Sequence, residues 1–230
     1  MQQAWQNTSI DSAQYVVDWI ERRYGAPNTT PQILQAWDLL RTSVYSNNYS
    51  TGVQSVVKSI FELQPNVTGL TGRTGHHGTA LFYDPAQVVL AWEFLFNATI
   101  SNPQLLDIPT FHNDMVDVTR QVFSNAFITL YDTLVSTWQS QNVTGVQVHG
   151  VTLINFLIDL DSILATDENF ILGKWIADAR RWAKANTTDA SFLEYNARNQ
   201  VRSPFRWLIR SLFGVQRAKS MITHRSNGVA

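Results

Sequence analysis

The chain has 230 residues, of which 44% are hydrophobic and 12% aromatic, enough for one cooperative core or two small ones. It contains no cysteine, which excludes a disulfide framework, a thiol nucleophile and a cysteine-based metal site. Residues 1–200 carry 11 basic and 18 acidic side chains, whereas residues 201–230 carry six basic and no acidic ones. An acidic body argues against a nucleic-acid partner.

The first third of the chain predicts two amphipathic helices. The first runs from Asp11 to Tyr24 and ends at Gly25, a residue type common just after a helix. The second begins near Pro31, because proline is favoured in the first turn. Its apolar stripe comprises Ile33, Leu34, Trp37, Leu40 and Val44.

A glycine-rich stretch, residues 66–79, predicts the longest loop. It contains His76 and His77, but adjacent side chains diverge and no carboxylate lies within six residues, so we expect a structural loop and no metal site. Its GRTGHHG segment also lacks the strand-before, helix-after context of a phosphate-binding loop. The sequence therefore predicts no metal and no cofactor.

The middle of the chain predicts two further helices. One starts at Asp84-Pro85 and runs to Asn97, and a longer one runs from about His112 to Trp138. Within the longer helix, Asp117 and Arg120 are spaced three apart and should form an ion pair. The pair could lie on the surface, in the core or beside a cleft.

The segment from Leu153 to Leu164 is apolar on almost every side, which predicts a helix inside a bundle. A dozen residues is too short to span a bilayer, and residues 143–150 before it predict a short loop. Thr166 and Asp167 then supply caps for another helix. Its apolar side should comprise Ile171, Trp175, Ala179 and Trp182.

Trp175 has two interpretations: a core residue, which we prefer, or a ring that stacks on a sugar in a cleft. A last helix follows Thr187, with Phe192 and Tyr195 expected to face inward. No strand-like alternation or repeat appears. The predicted fold class is therefore all-α, an irregular bundle of six to nine mostly antiparallel helices.

Seven Asn-x-Ser/Thr triplets are candidate N-glycosylation sites, more than this composition would give by chance. They begin at Asn7, Asn28, Asn48, Asn66, Asn97, Asn142 and Asn186. They favour a secretory or lysosomal protein over an Asn-, Ser- and Thr-rich cytosolic one. The first residues have neither the basic nor the apolar region of a signal peptide, so we expect a C-terminal part of a longer protein.

Carboxylate pairs suited to hydrolysing a glycosidic bond are not apparent. Asp159 and Asp161 lie about 200° apart around their helix, so their carboxyl groups cannot lie on either side of the same glycosidic bond. Asp167 and Glu168 are better explained as first-turn acids that complement the helix dipole. We therefore predict no catalytic residue in this chain.

Several blocks of sequence together resemble a known family. They are WIERRYG (Trp19–Gly25), LFYDPAQVVLAW (Leu81–Trp92), DMVDVTRQ (Asp114–Gln121), ATDENFILGKWIADAR (Ala165–Arg180) and LEYNARNQ (Leu193–Gln200). In this order they resemble the C-terminal helical region of the lysosomal α-N-acetylglucosaminidases, glycoside hydrolase family 89. The resemblance covers roughly residues 15–200.

The resemblance implies part of an exo-glycosidase that removes terminal α-linked N-acetylglucosamine, as from heparan sulfate. It implies that both catalytic glutamates lie in a preceding barrel domain, and that this helical domain packs on the barrel and walls one side of its cleft. By the same comparison, Tyr195, Asn196, Arg198 and Asn199 approach the glycan, although an ordinary helix-packing network is an equal alternative. Alone, the chain should be inactive.

Residues 201–230 depart from the family's pattern. We expect a domain over residues 1–200 and a basic tail containing one amphipathic helix, whose apolar side comprises Phe205, Leu208, Ile209, Leu212 and Phe213. A truncated or misjoined segment is preferred over a membrane anchor. The alternative function is a non-enzymatic helical interaction module whose basic tail contacts a membrane surface.

Overall fold

The computed structural model describes residues 9–46, 66–69, 81–183 and 189–199. These residues form seven α-helices and contain no β-strand, which confirms the all-α class. The helices are α1 Ser12–Tyr24, α2 Pro31–Thr42, α3 Pro85–Ser101, α4 Pro109–Gln139, α5 Val143–Leu164, α6 Leu172–Trp182 and α7, residues 189–199. Short 3-10 turns occupy Ala26–Asn28, Pro103–Asp107 and Glu168–Phe170.

Helix ends follow local capping chemistry. The Asp11 carboxylate accepts hydrogen bonds from the backbone N–H groups of Ala13 and Gln14 at the start of α1. Gly25 ends α1 with φ of 86°, a left-handed value that favours glycine. Thr30 and Asp84 cap α2 and α3, each followed by a proline, so the predicted starts of both helices are confirmed.

The described helices belong to two compact units. The first comprises Met1–Gln54 and Leu81–Asn125, and the second comprises Ser55–Ala80 and Ala126–Ala230. The core of the first unit is built where α1, α2, α3 and the first half of α4 pack together. Its fully buried large side chains are Ile20, Ile33, Leu40, Val88, Leu95, Leu105 and Phe111.

Two tryptophans strengthen the first unit. The rings of Trp19 and Trp37 meet edge to face with centroids 4.8 Å apart, and Arg23 lies 5.0 Å from the centroid of the Trp19 ring. The expected Asp117–Arg120 pair also forms in this unit, with an N–O distance of 2.6 Å and both side chains well exposed. This exposure excludes the core interpretation of that pair.

The second unit has a smaller core, formed by Phe127, Tyr131, Val135 and Leu153. α5 contributes less to it than the sequence predicts. Only Leu153 and Leu160 of this helix are buried, while Ile158 is 56% exposed. The expectation of a fully buried helix is wrong, because α5 turns one side to the core and leaves the other open.

α5 also begins earlier than predicted. Residues 143–150 are helical, and the Asn142 side chain caps them by accepting a hydrogen bond from the Gly145 N–H at 2.9 Å. The resulting 22-residue helix is long and apolar enough to cross a membrane by length and composition. Length and composition in a single helix are weak evidence for a membrane span.

The two C-terminal helices also orient differently from the sequence expectation. On α6, Ala179 is buried as predicted, but Trp175 and Trp182 are 49% and 75% exposed; Ile176 takes their place in the core. On α7, Phe192 and Tyr195 are both 62% exposed, and Ala197 is the buried residue. The predicted inward positions of these four aromatic side chains are wrong.

The glycine-rich loop with His76 and His77 and the tail, residues 201–230, lie outside the described residues.

Candidate functional site

The four residues expected to approach a glycan lie on one side of α7. Tyr195, Asn196 and Asn199 are exposed and Arg198 is half-buried, whereas Ala197, on the opposite side of the helix, is buried. The helical twist places all four within less than half of the circumference. The structure thus brings the predicted set to a common solvent-facing surface, which we call the α7 polar face.

One carboxylate holds Arg198, a member of that face. Glu194 accepts hydrogen bonds from Arg198 Nε at 2.7 Å and from Arg180 Nε at 2.6 Å, so it joins α7 to α6. Hydrogen bonds from Arg180, then from Arg198, lower the pKa of Glu194 below its ordinary value. A lowered pKa disfavours Glu194 as the general acid of a glycosidase, which must carry a proton at the working pH. Its role here is to hold Arg198 in place.

Several other described carboxylates are engaged in structural roles. Asp11, Asp84 and Asp167 accept capping hydrogen bonds, and the remaining engaged groups form ion pairs with Lys or Arg. The ion-paired acids are Asp18, Asp38, Asp114, Asp117, Asp178, Glu168 and Glu194. Asp159 and Asp161 are exposed on α5. Within the described residues, no three His, Cys, Asp or Glu side chains cluster as metal ligands.

A buried polar network in the first unit was not predicted. Arg23 donates through Nε and Nη2 to the two carboxylate oxygens of Asp114, and Tyr24 donates its hydroxyl to the same carboxylate at 2.7 Å. Trp37 Nε1 donates to the Tyr24 oxygen at 3.1 Å. Burial, followed by the charge of Asp114, raises the pKa of Tyr24 far above its ordinary value. Arg23 and Tyr24 lie in the block WIERRYG and Asp114 lies in DMVDVTRQ, so the family blocks were the available sequence signal for these three residues, but not for Trp37.

A second network joins the residues before α3 to α4. Gln121 Nε2 donates to the Tyr83 hydroxyl at 2.9 Å, and that hydroxyl donates to Asn125 Oδ1 at 3.0 Å. Burial raises the pKa of Tyr83. Asn125 Nδ2 is buried and, among the described residues, has no hydrogen-bond partner. One buried donor of this network, the Asn125 amide nitrogen, therefore lacks an acceptor among the described residues.

An open groove of about 530 Å³ runs between α1, α2 and α3 and is lined mainly by Val16, Val17, Leu34, Leu39 and Phe94. Its charged residues, Asp38 and Arg41, pair with each other at 2.6 Å. The groove contains little polar chemistry with which to orient a sugar.

Four of the seven glycosylation candidates are described. Asn66, Asn97 and Asn142 are exposed, whereas Asn28 is half-buried and its Nδ2 donates to the Tyr24 carbonyl oxygen at 2.8 Å. Asn97 lies within α3, whereas Asn66 and Asn142 lie in a turn and at a helix start. Asn7, Asn48 and Asn186 lie outside the described residues.

Comparison with known proteins shows the family. The family model for the alpha-N-acetylglucosaminidase C-terminal domain matches residues 15–207. The human alpha-N-acetylglucosaminidase is 30% identical over 199 residues, which cover 86% of this chain but 25% of the human protein.

Solved structures show the same fold. The family 89 glycoside hydrolase of Clostridium perfringens in complex with GlcNAc-alpha-1,4-galactose superposes with a TM-score of 0.72 at 24% identity, covering 86% of this chain and 22% of the bacterial one. Its complex with 2-acetamido-1,2-dideoxynojirmycin gives a TM-score of 0.71 at 25% identity, covering 85% of this chain and 22% of that one. The chain therefore spans about a quarter of its relatives' length, and it belongs to the α-N-acetylglucosaminidase C-terminal domain family.

Proposed function

We propose that this chain is the non-catalytic helical part of an exo-glycosidase that hydrolyses terminal α-linked N-acetylglucosamine, as in heparan sulfate. Membership of the C-terminal domain family carries the proposal. Because the human relative is four times as long as the matched region, a separate catalytic portion accounts for the remainder. The catalytic acid and nucleophile belong to that portion, a barrel domain on which this helical domain packs.

The described carboxylates support the assignment of catalysis to a separate portion of the enzyme. Glycoside hydrolysis ordinarily needs two carboxyl groups on either side of one bond, about 5–9.5 Å apart. Most described Asp and Glu side chains are engaged in caps or ion pairs, and Glu194 has a lowered pKa rather than the raised one that an acid catalyst needs. This chain alone is therefore inactive as a glycosidase.

In this proposal, the α7 polar face is the part of the chain that lines one side of the substrate cleft. Tyr195 presents an exposed ring, and Asn196 and Asn199 present exposed amides that can bond to sugar hydroxyls. Arg198 is held by Glu194 and still has guanidinium donors available for sugar or sulfate oxygens. These four residues position the glycan and take no part in bond cleavage.

The compartment follows from the same proposal. The glycosylation candidates indicate a protein that passes through the secretory pathway to the lysosome or the exterior, and their exposure at Asn66 and Asn142 supports modification there. Neither a metal nor a diffusible cofactor has a role in the proposed reaction.

A chimera tests the proposal. In the human enzyme, the matching C-terminal segment is replaced by residues 15–207 of this chain, and hydrolysis of an aryl α-N-acetylglucosaminide is measured. We expect the chimera to be active and the human enzyme without its C-terminal segment to be inactive. A folded but inert chimera, or a fully active truncated enzyme, would contradict the proposal.

The α7 polar face is tested in the same chimera. Arg198→Ala should raise KM several-fold while leaving the melting temperature nearly unchanged. Arg181→Ala is the matched control, because Arg181 pairs with Asp178 on the surface of α6 at 3.1 Å. Equal KM values for the two variants would show that the α7 polar face does not contact the substrate.

A further inference from the structure

An uncharged surface lies where α4 turns into α5. Residues 133–158 contain no Asp, Glu, Lys or Arg. Within this stretch, Trp138, Val143 and Val148 are 58%, 70% and 57% exposed. We call residues 138–148 the α4–α5 turn surface. Because soluble surfaces normally intersperse charged side chains among exposed apolar ones, this surface needs another source of hydration.

Two glycosylation triplets lie beside the α4–α5 turn surface. Asn142 is part of it, immediately before α5. The Tyr131 hydroxyl on α4 donates to the Asn66 carbonyl oxygen at 2.8 Å. Further along α4, Gln139 Nε2 donates to the Val67 carbonyl oxygen at 3.1 Å. The triplet that begins at Asn66 is therefore held against the same end of α4, within the second unit.

The side-chain amides of both triplets are set up as glycan acceptors. Asn66 Oδ1 accepts a hydrogen bond from the Thr68 N–H at 3.0 Å, and Asn142 Oδ1 accepts one from the Gly145 N–H at 2.9 Å. The oxygen of each amide is thus engaged, whereas neither Nδ2 donates a hydrogen bond among the described residues. A Cβ at position 145 would lie 2.9 Å from Asn142 Nδ2, so glycine leaves room for that nitrogen.

The other two described triplets are less suitable. Asn28 is half-buried and its Nδ2 donates to the Tyr24 carbonyl oxygen, while Thr30 of the same triplet caps α2. Asn97 lies inside α3, where it and Thr99 are about 200° apart around the helix. Thr99 is also buried. In both triplets the Asn amide and the Thr hydroxyl cannot meet without disrupting a helix or its cap.

We propose that N-linked glycans on Asn66 and Asn142 cover and hydrate the α4–α5 turn surface. Asn28 and Asn97 stay unmodified. This inference rests on the secretory route in the proposed function, and it adds which triplets are used and what their glycans do. A glycan is bulky and strongly hydrated, so it replaces the missing charges at this surface.

The modification transfers an oligosaccharide from a lipid diphosphate donor of the secretory pathway. A bond forms between Asn Nδ2 and the anomeric carbon of the first N-acetylglucosamine. The bond from that carbon to the diphosphate oxygen breaks, Nδ2 gives up one proton, and the lipid diphosphate is released. No oxidant or reductant is required.

Site-resolved mass spectrometry tests the choice of triplets. The 230-residue chain is secreted from a eukaryotic host behind a signal peptide and deglycosylated enzymatically in heavy-oxygen water, which marks each occupied Asn. We expect Asn66 and Asn142 to be occupied in most molecules, and Asn28 and Asn97 in only a small fraction. An unmodified Asn142 or Asn66, or equal occupancy at all four positions, would overturn the proposal.

Hydroxyl-radical footprinting tests the covering of the surface. Deglycosylation of the parent should raise oxidation of Trp138 several-fold and leave that of Trp175, half-exposed on α6, unchanged. The paired change Thr68→Ala and Thr144→Ala should have the same effect, because it destroys both triplets and keeps Asn66 and Asn142. Asn97→Gln is the matched control and should alter neither oxidation nor gel mobility.

Two outcomes of these measurements would contradict the covering. Equal oxidation of Trp138 before and after deglycosylation, or an equal rise at Trp175, would show that the glycans do not cover the turn. Flotation of the glycosylated chain with phosphatidylcholine vesicles would assign the surface to a membrane and overturn the proposal.

The two proposals fail separately. The host supplies the secretory route in these experiments, so unmodified Asn66 and Asn142 would refute the glycan proposal whatever the activity of the chimera. An inactive chimera in which both positions carry glycans would refute the proposed function and leave the glycan proposal standing.

Discussion

Arg23 and Asp114 are 91 residues apart in the chain and meet in a two-pronged ion pair that ties α1 to α4. The Asp114 side chain is 11% exposed and also accepts a hydrogen bond from Tyr24, so three donors converge on one buried carboxylate. Such a pair fixes the relative position of two helices, because breaking it leaves an uncompensated charge in the interior.

Removing Asp114 should therefore be costly. We expect Asp114→Ala to lower the free energy of unfolding by about 3–5 kcal/mol, since Arg23 would lose its partner in a partly buried setting. The matched control is Asp117→Ala on the same helix, whose exposed pair with Arg120 should be worth less than about 1 kcal/mol. Denaturant unfolding of both variants checks this, and equal losses would contradict a buried role for Asp114.

Two tryptophans should differ in their contribution to stability. Trp37 is 7% exposed, so Trp37→Ala leaves a cavity and should cost about 3–5 kcal/mol. Trp175 is half-exposed, so Trp175→Ala in the chain alone should cost less than about 1 kcal/mol. Thermal melting decides the matter. A loss at Trp175 as large as that at Trp37 would restore the core position that the sequence favours for Trp175.

The stabilisation of the fold by the Glu194 ion pairs should decrease at low pH. Because the folded pKa of Glu194 is lowered, its pairing with Arg180 and Arg198 stabilises the fold fully above the unfolded pKa of about 4.3. That contribution is lost as pH falls through the lower folded value. We expect parent and Glu194→Gln to differ in melting temperature near neutral pH and to converge in strong acid. A difference that is constant across this range would contradict the pairing.

Glycosylation at Asn142 can be separated from its capping role. After passage through a secretory pathway, the parent chain should carry glycans, and enzymatic deglycosylation should shift its mobility on a gel. Thr144→Ala destroys the acceptor triplet and keeps the Asn142 cap, whereas Asn142→Ala removes both and should cost about 1 kcal/mol of stability. A parent band unchanged by deglycosylation would remove the main support for the compartment.

Local features of this fold were predictable from the sequence. The starts of α2 and α3 follow from a capping side chain beside a proline, and the Asp117–Arg120 pair follows from helical spacing. In contrast, the loop predicted over residues 143–150 is helical, because Asn142 caps the helix and Leu153 packs in the core of the second unit. Propensity yields to tertiary context at such positions.

Orientation and long-range pairing were harder to predict. Spacing shows which residues of α6 and α7 share a side, but not which side meets the core, so Trp175 and Tyr195 were expected to face inward. The Arg23–Asp114 pair joins distant segments, and no local pattern specifies it. The α7 polar face came from family resemblance, because its polar residues have no distinctive spacing of their own.

The most direct measurement is an assay of the purified 230-residue chain with an aryl α-N-acetylglucosaminide at acid pH. We expect no hydrolysis above the buffer rate, because in the proposed function the catalytic carboxylates belong to a separate barrel portion of the enzyme. The active chimera serves as the positive control for the assay. Measurable turnover by the chain alone, abolished by changing any one of its own Asp or Glu residues, would contradict the account.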